Sequence, residues 1–330
     1  MKKYIFLSSL IVLLFSACST KEVYEPKNVA DDWEKYESLK SEVVDVSANV
    51  ALLEDGEVLS KSALYTVVIP EDQRVLSSSV NWIASASIDG NLTLTSKSDT
   101  TLQERFSLKK TIASASVEGD VLAVLFADNE TALYDVPSKE LLYKEQGGKS
   151  LVSDSRIIAP YFMNGLALFS TLDGKVVIVN IELKKRLRTV IVSSEDYFNN
   201  IIYLDILDNK IIAATSSKLL SMSKKDIRVK YEIRNMAFDE SNAYITTKQG
   251  EILSLNPDLQ VNSKVKLPFA HFLGMISLGE KLYVLEKEGY IIVVDKKSFD
   301  YTVHEVDLED GFIFVGDKVF YVSDTKILVE

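Results

Sequence analysis

A tight turn of one kind recurs along this chain and constrains its fold more than any other feature. It is seen as Asp55-Gly56, Asp89-Gly90, Asp128-Asn129, Asp173-Gly174, Ser216-Ser217, Gln249-Gly250, Glu288-Gly289 and Asp324-Thr325. Asp-Gly and its relatives suit two-residue hairpins, because such turns need positive φ. From position 56 to position 325 there are seven intervals, so the mean period is about 38 residues. A similar β-branched or apolar run follows each turn, at Asn91–Ser96, Ala132–Val136, Lys175–Asn180, Leu219–Ser223, Glu251–Asn256, Tyr290–Asp295 and Lys326–Glu330.

One unit shows the grammar. Thr111–Val117 reads as a strand, Glu118-Gly119-Asp120 as a turn, and Val121–Ala127 as a second strand. After Asp128-Asn129 come Ala132–Val136 and, past Pro137-Ser138, Glu140–Glu145. Four antiparallel strands in a repeat of this length define a β-propeller. Leucine-rich repeats are shorter, helical solenoids need a 3.6-residue period that is missing, and sandwiches need no steady turn period. Eight turns predict an all-β propeller of eight four-stranded blades over residues 41–330, or seven if the irregular first unit, Glu42–Pro70, is discounted. The chain ends inside a strand that would be third in its blade. Closure therefore calls for a fourth strand from the N-terminal side, before or around Glu42–Ser47.

The chemistry for catalysis is sparse. The only histidines, His271 and His304, fall in adjacent units by this reading, and the only cysteine is Cys18. Zinc sites want three or four such ligands. Gly148-Lys149-Ser150 has the tail of a phosphate loop, but Tyr143 stands where that motif needs glycine. No Gly-x-Ser-x-Gly elbow or calcium loop occurs, so no cofactor or metal is expected. The net charge of −11 disfavours nucleic acid, whose affinity rests on Lys and Arg against phosphate.

The N-terminus has its own logic. Lys2 and Lys3 precede the mostly apolar run Tyr4–Phe15, and Ser16-Ala17 close it with small residues. This is the layout of a secretory signal over residues 1–17, too short to span a membrane. Leu14-Phe15-Ser16-Ala17-Cys18 resembles a bacterial lipoprotein signal. The resemblance implies cleavage before Cys18 and acylation there, with palmitate among the chains. Loss of Lys2 and Lys3 would take the net charge from −11 to −13, so the membrane would be held through acyl chains alone. Ser19, rather than Asp, fits outer-membrane sorting as known for enterobacterial lipoproteins. Residues 18–40 read as a tether. Within it, Val29, Trp33, Tyr36 and Leu39 share one face of a short helix that Asn28 would cap.

A lipid-anchored propeller with turn-Gly-strand repeats resembles the BamB-type lipoproteins of the outer-membrane β-barrel assembly machinery. Glu288-Gly289-Tyr290-Ile291 and Gly316-Asp317-Lys318-Val319, before the terminal strand, carry the most specific likeness. Phe106 and Tyr143 stand in outer strands where such repeats usually place Trp, which argues against a pyrroloquinoline quinone enzyme. The resemblance implies a non-catalytic scaffold in the outer membrane, facing the periplasm. It would bind envelope proteins, with the β-barrel assembly complex as one such partner. The alternative is a propeller enzyme of lactonase or hydrolase type, with a metal or carboxylates at the central mouth. Three or more converging Asp, Glu, Asn or His side chains there would favour it. Finally, Asp89-Gly90-Asn91-Leu92-Thr93 resembles an extended acceptor for bacterial N-glycosylation at Asn91.

Overall fold

The computed structural model describes residues 22–330 apart from positions 48 and 152. Every regular element among them is a strand, and the strands form eight four-stranded antiparallel sheets. These are the eight blades of a closed propeller. Blades 1 to 7 begin at the inner strands Val43–Val46, Gln73–Ser78, Ile112–Glu118, Tyr161–Met163, Tyr203–Leu207, Ile233–Phe238 and Phe272–Leu278. Blade 8 holds Ile313–Val315, Val319–Val322 and Thr325–Leu328, and Tyr36–Ser38 completes it from the other end of the chain. Tyr36 pairs with Ile327 and Ser38 with Thr325.

The core sits between blades rather than within them. Eight buried apolar clusters are present among the described residues, and each spans one junction of neighbouring blades. Second strands are therefore covered on both faces. Val121–Phe126, sequence VLAVLF, is almost wholly buried, while the outer strand Leu141–Gln146 alternates. Near the axis neighbouring blades converge, and small side chains such as Ala84, Ala115, Ala123, Ala167 and Ala213 fill the taper. Polar stitches cross the same junctions. Ser77 Oγ donates to the Ala115 carbonyl at 2.5 Å, the Val117 N–H to Ser79 Oγ at 2.9 Å, and Asn235 Nδ2 to the Leu273 carbonyl at 3.2 Å. Each of these pairs is 38 residues apart, which is the sequence period made physical.

The hairpin turns take the conformation their composition demands. Gly56, Gly90, Gly174, Gly250 and Gly289 all have positive φ, and Asn129 adopts φ 67° in the same role. At Gly250 (φ 76°) a Cβ would also run into the Leu267 carbonyl. Asn129 earns its place differently: it is fully buried, donates to the Gly148 carbonyl and accepts from the Leu172 N–H, tying blade 3 to blade 4.

The helix expected over Asn28–Leu39 does not form. The Ala30 N–H donates to the Val303 carbonyl and the Trp33 N–H to the Glu305 carbonyl, so the segment runs along the outer edge of blade 7. It then becomes the strand Tyr36–Ser38. An isolated helix of about 12 residues is marginal in water, whereas two open sheet edges offer ready hydrogen-bond partners. Tyr24, only 5% exposed, packs edge-on against Tyr290, so the propeller takes in residues that read as tether.

Candidate binding surfaces

Because consecutive strands are antiparallel, the turns alternate between two faces of the ring. The upper face carries the turns between second and third strands and the connections from blade to blade. The lower face carries the other hairpin turns. The inner strands of blades 2 and 3, 6 and 7, 7 and 8, and 8 and 1 touch one another around the axis.

On the upper face the connection spanning residues 147–160, between blades 3 and 4, reaches past blade 5 to blade 6. Arg156 forks onto both oxygens of Asp154, at 2.9 and 2.6 Å, and its third nitrogen donates to the Arg234 carbonyl at 2.6 Å. Asn200 accepts from the Asp154 N–H and donates to the carbonyls of Asp154 and Arg156. The Tyr203 hydroxyl reaches the same Arg234 carbonyl at 3.3 Å. Burial pushes the Asp154 carboxyl up, but the hydrogen bonds from Arg156 outweigh it and hold Asp154 below the ordinary range. Arg234 is shifted down by burial and by the nearby Arg156 charge. Asp154 and Asn200 meet on this face, and Arg156 links them to the backbone of Arg234, next to Asn235. Asp154, Asn200 and Asn235 are all bonded to the protein itself: Asn235 donates to the Leu273 carbonyl and accepts from Thr246. The arrangement braces a long loop, with the Asp154 carboxylate paired to Arg156.

Further down the inner strand of blade 5, burial raises the Asp205 carboxyl; the Ile206 N–H and Lys61 oppose the shift and do not cancel it. A cleft of about 140 Å³ opens between blades 3 and 4, lined by Thr131, Glu145, Thr171, Asp173, Lys175 and Arg186. Its charges pair off, Lys175 with Asp173 at 2.5 Å and Arg186 with Glu145.

The histidines stand at opposite edges of one blade, not in adjacent units. His271 immediately precedes the inner strand of blade 7, and its backbone N–H donates to the buried Glu286 carboxylate at 2.7 Å. His304 lies on the outer strand, where Nδ1 meets the Asp31 carbonyl at 3.1 Å and the ring packs edge-on against Trp33. His304 thus holds the N-terminal strap. No group of three or more His, Cys, Asp or Glu able to hold a metal ion occurs among the described residues. Cys18 and the signal segment lie outside those residues. Asn91 is exposed at the start of Asn91–Ser96, just after the Asp89-Gly90 turn. Gly148-Lys149-Ser150 belongs to the blade 3–4 connection, without a following helix. Sequence reasoning missed Asp154, Arg156 and Asn200. The only available signal was the length of their connection, which exceeds that of every other blade junction.

This fold defines a class: an eight-bladed β-propeller like that of BamB. Against BamB from Moraxella catarrhalis the TM-score is 0.68 at 12% identity, covering 89% of this chain and 98% of that one. The C-terminal WD40 domain of Sif2 gives 0.65 at 13% identity, covering 92% of this chain and 99% of that domain. No family model matches the chain. In sequence, the chain is 37% identical over 217 residues to the plasminogen-binding protein PgbB of Helicobacter pylori strain J99, and 38% identical over 218 residues to that of strain 26695. In each case the match covers 63% of this chain and 40% of the relative, so the chain spans well under half the length of these curated relatives.

Proposed function

We propose that this protein is a non-catalytic, protein-binding propeller of the bacterial envelope, exported by residues 1–17 and anchored to the outer membrane through acylated Cys18. The observation that carries the reading is the state of the polar groups around Arg156 on the upper face. Asp154 is neutralised by Arg156, and Asn200 and Asn235 are used to hold backbone. Function on a propeller must be argued from sites, and these sites favour occupancy over turnover. The likeness to BamB supports a role among β-barrel assembly proteins, and the PgbB relatives support protein binding more generally. Crosslinking in intact envelopes, followed by purification of the anchored protein, tests the reading. A stoichiometric protein partner is expected, and deletion should lower several outer-membrane barrels together or destabilise one envelope complex. Turnover of a lactone or ester by purified protein would refute it. The identity to PgbB favours a second reading of the same class, in which the partner is plasminogen. Saturable binding of purified plasminogen to the immobilised chain would establish that reading, and absence of binding at micromolar concentration would dismiss it. Asn91, exposed beside its turn, would accept a glycan in a host that has the transferase; a discrete mass increase abolished by Asn91→Gln is the test.

A further inference from the structure

The two faces of the ring differ in what they expose. Among the described residues, four large aromatics outside the strands are exposed, namely Tyr197, Phe198, Phe269 and Phe312, and all four lie on blade-to-blade connections of the upper face. Val68, Ile88 and Leu151 add exposed aliphatic tips to that face, against Val80, Leu102 and Leu183 on the lower one.

Backbone conformation supplies an independent observation. Phe198 has φ 51° and Phe269 φ 66°. Phe269 is the third residue of a turn closed by the Ala270 N–H on the Leu267 carbonyl at 3.2 Å, with Pro268 second. That third position requires positive φ and is ordinarily glycine. Phe198 is held similarly, its carbonyl accepting from Ser216 Oγ at 3.0 Å. Elsewhere, Leu259 (φ 60°) and Phe299 (φ 62°) also sit in the left-handed region, but they are 4% and 9% exposed and recover the strain in buried contacts. Phe198 and Phe269 are 53% and 57% exposed. Each thus carries the left-handed penalty while leaving more than half of its surface in solvent.

We infer that the upper face is a protein-docking surface, with Phe198 and Phe269 as its aromatic anchors, and that it fits a partner surface whose apolar recesses are rimmed by Lys and Arg. This rests on the protein-binding reading above and adds the face and the chemistry. Several exposed tips of this face carry acidic residues. Exposed Glu195 and Asp196 precede Tyr197-Phe198, Glu309 and Asp310 precede Phe312, Asp89 follows Ile88, and Glu71 and Asp72 follow Val68. The turn of Phe269 carries no carboxylate of its own, so the acidic rim is supplied by the other tips of this face. Apolar tips among carboxylates complement a basic protein rim, and aromatic side chains commonly carry interface affinity. The same carboxylates oppose an anionic lipid surface, which attracts basic segments.

The test places the photo-crosslinker benzoylphenylalanine at Phe198 or Phe269, and at Val80 or Leu183 as lower-face controls, in the native host. Both upper positions should yield adducts with the same protein, reduced several-fold by molar salt, and the controls should not. Phe198→Gly and Phe269→Gly should leave the melting temperature unchanged or raised, while reducing recovery of that partner at least tenfold. Adducts from the controls alone, lipid adducts alone, or salt-insensitive capture would overturn the surface assignment while leaving protein binding intact. Glycine variants that lose stability would show these rings to be structural and overturn the anchor assignment. Absence of protein adducts from all four positions would overturn the docking surface, and a failed whole-protein crosslink would then count against the binding reading as well.

Discussion

Trp33 donates its indole N–H to the carbonyl of Leu328 at 3.1 Å, joining residues 295 apart at the seam of the ring. The same indole packs edge-on against Tyr283 at 6.2 Å and His304 at 5.4 Å between ring centroids. Blade 8 lacks an outer strand until Tyr36–Ser38 arrives, so this contact fixes the segment that closes the propeller.

Trp33→Ala should therefore destabilise the protein by about 2–4 kcal/mol, from lost packing and one unpaired carbonyl near the seam. Urea unfolding followed by tyrosine fluorescence measures it. Removing residues 22–38 should do worse, exposing the edge of Thr325–Leu328 and causing aggregation. A truncated chain that stayed monomeric with an unchanged melting temperature would contradict this account of closure.

Gly250→Ala should cost about 2 kcal/mol or more, because the new Cβ meets both a left-handed φ and the Leu267 carbonyl. Gly119→Ala is the matched control: it shares the positive φ (56°) but has open space around it, so its loss should be about 1–2 kcal/mol. Equal losses in chemical denaturation would show that steric approach at Gly250 contributes nothing.

Asp205 makes a pH-dependent prediction. Burial raises its carboxyl, so the folded state binds the proton more tightly than the unfolded chain does. The stabilisation from protonation is complete below the unfolded value of about 3.9 and is lost as pH rises through the folded value. Asp205→Asn should accordingly melt higher than the parent at pH 7–8 and equal it near pH 3.5. Asp173 works in the opposite sense. Burial pushes it up, but hydrogen bonds from Lys175 and Thr171 prevail and hold it low. Its contribution is present above the unfolded value of about 3.9 and disappears as pH falls through the lower folded value, so Asp173→Asn should lose stability at pH 7 and little at pH 2.

Cys18→Ser should abolish incorporation of labelled palmitate and release the mature protein from membranes in soluble form. Fractionation with labelling reads both outcomes, and a labelled, membrane-bound variant would exclude Cys18 as the anchor.

The sequence by itself determined the strand grammar and narrowed the ring to eight or seven blades; the irregular first unit, Glu42–Pro70, counts as a blade only once its four strands are seen to pair. Turn composition and the apolar second strands are local properties, and a period of about 38 repeats them often enough to be read one blade at a time. It also placed the terminal strand third in its blade and required a partner from the N-terminal side. It could not say that Tyr36–Ser38 would be that partner, because Val29, Trp33, Tyr36 and Leu39 carry a helical spacing just as well. Only the open edges of blades 7 and 8 decide between the two, and those edges exist once the ring has formed. The same holds for Arg156, whose partners lie up to 78 residues away, and for His271 and His304, which one blade separates by its full width. The exposed rings of Phe198 and Phe269 look like core residues in the sequence; their left-handed backbone and outward aim are set by the turns that neighbouring blades hold in place. Local periodicity encodes the strands, whereas the surfaces depend on groups that meet only across blades.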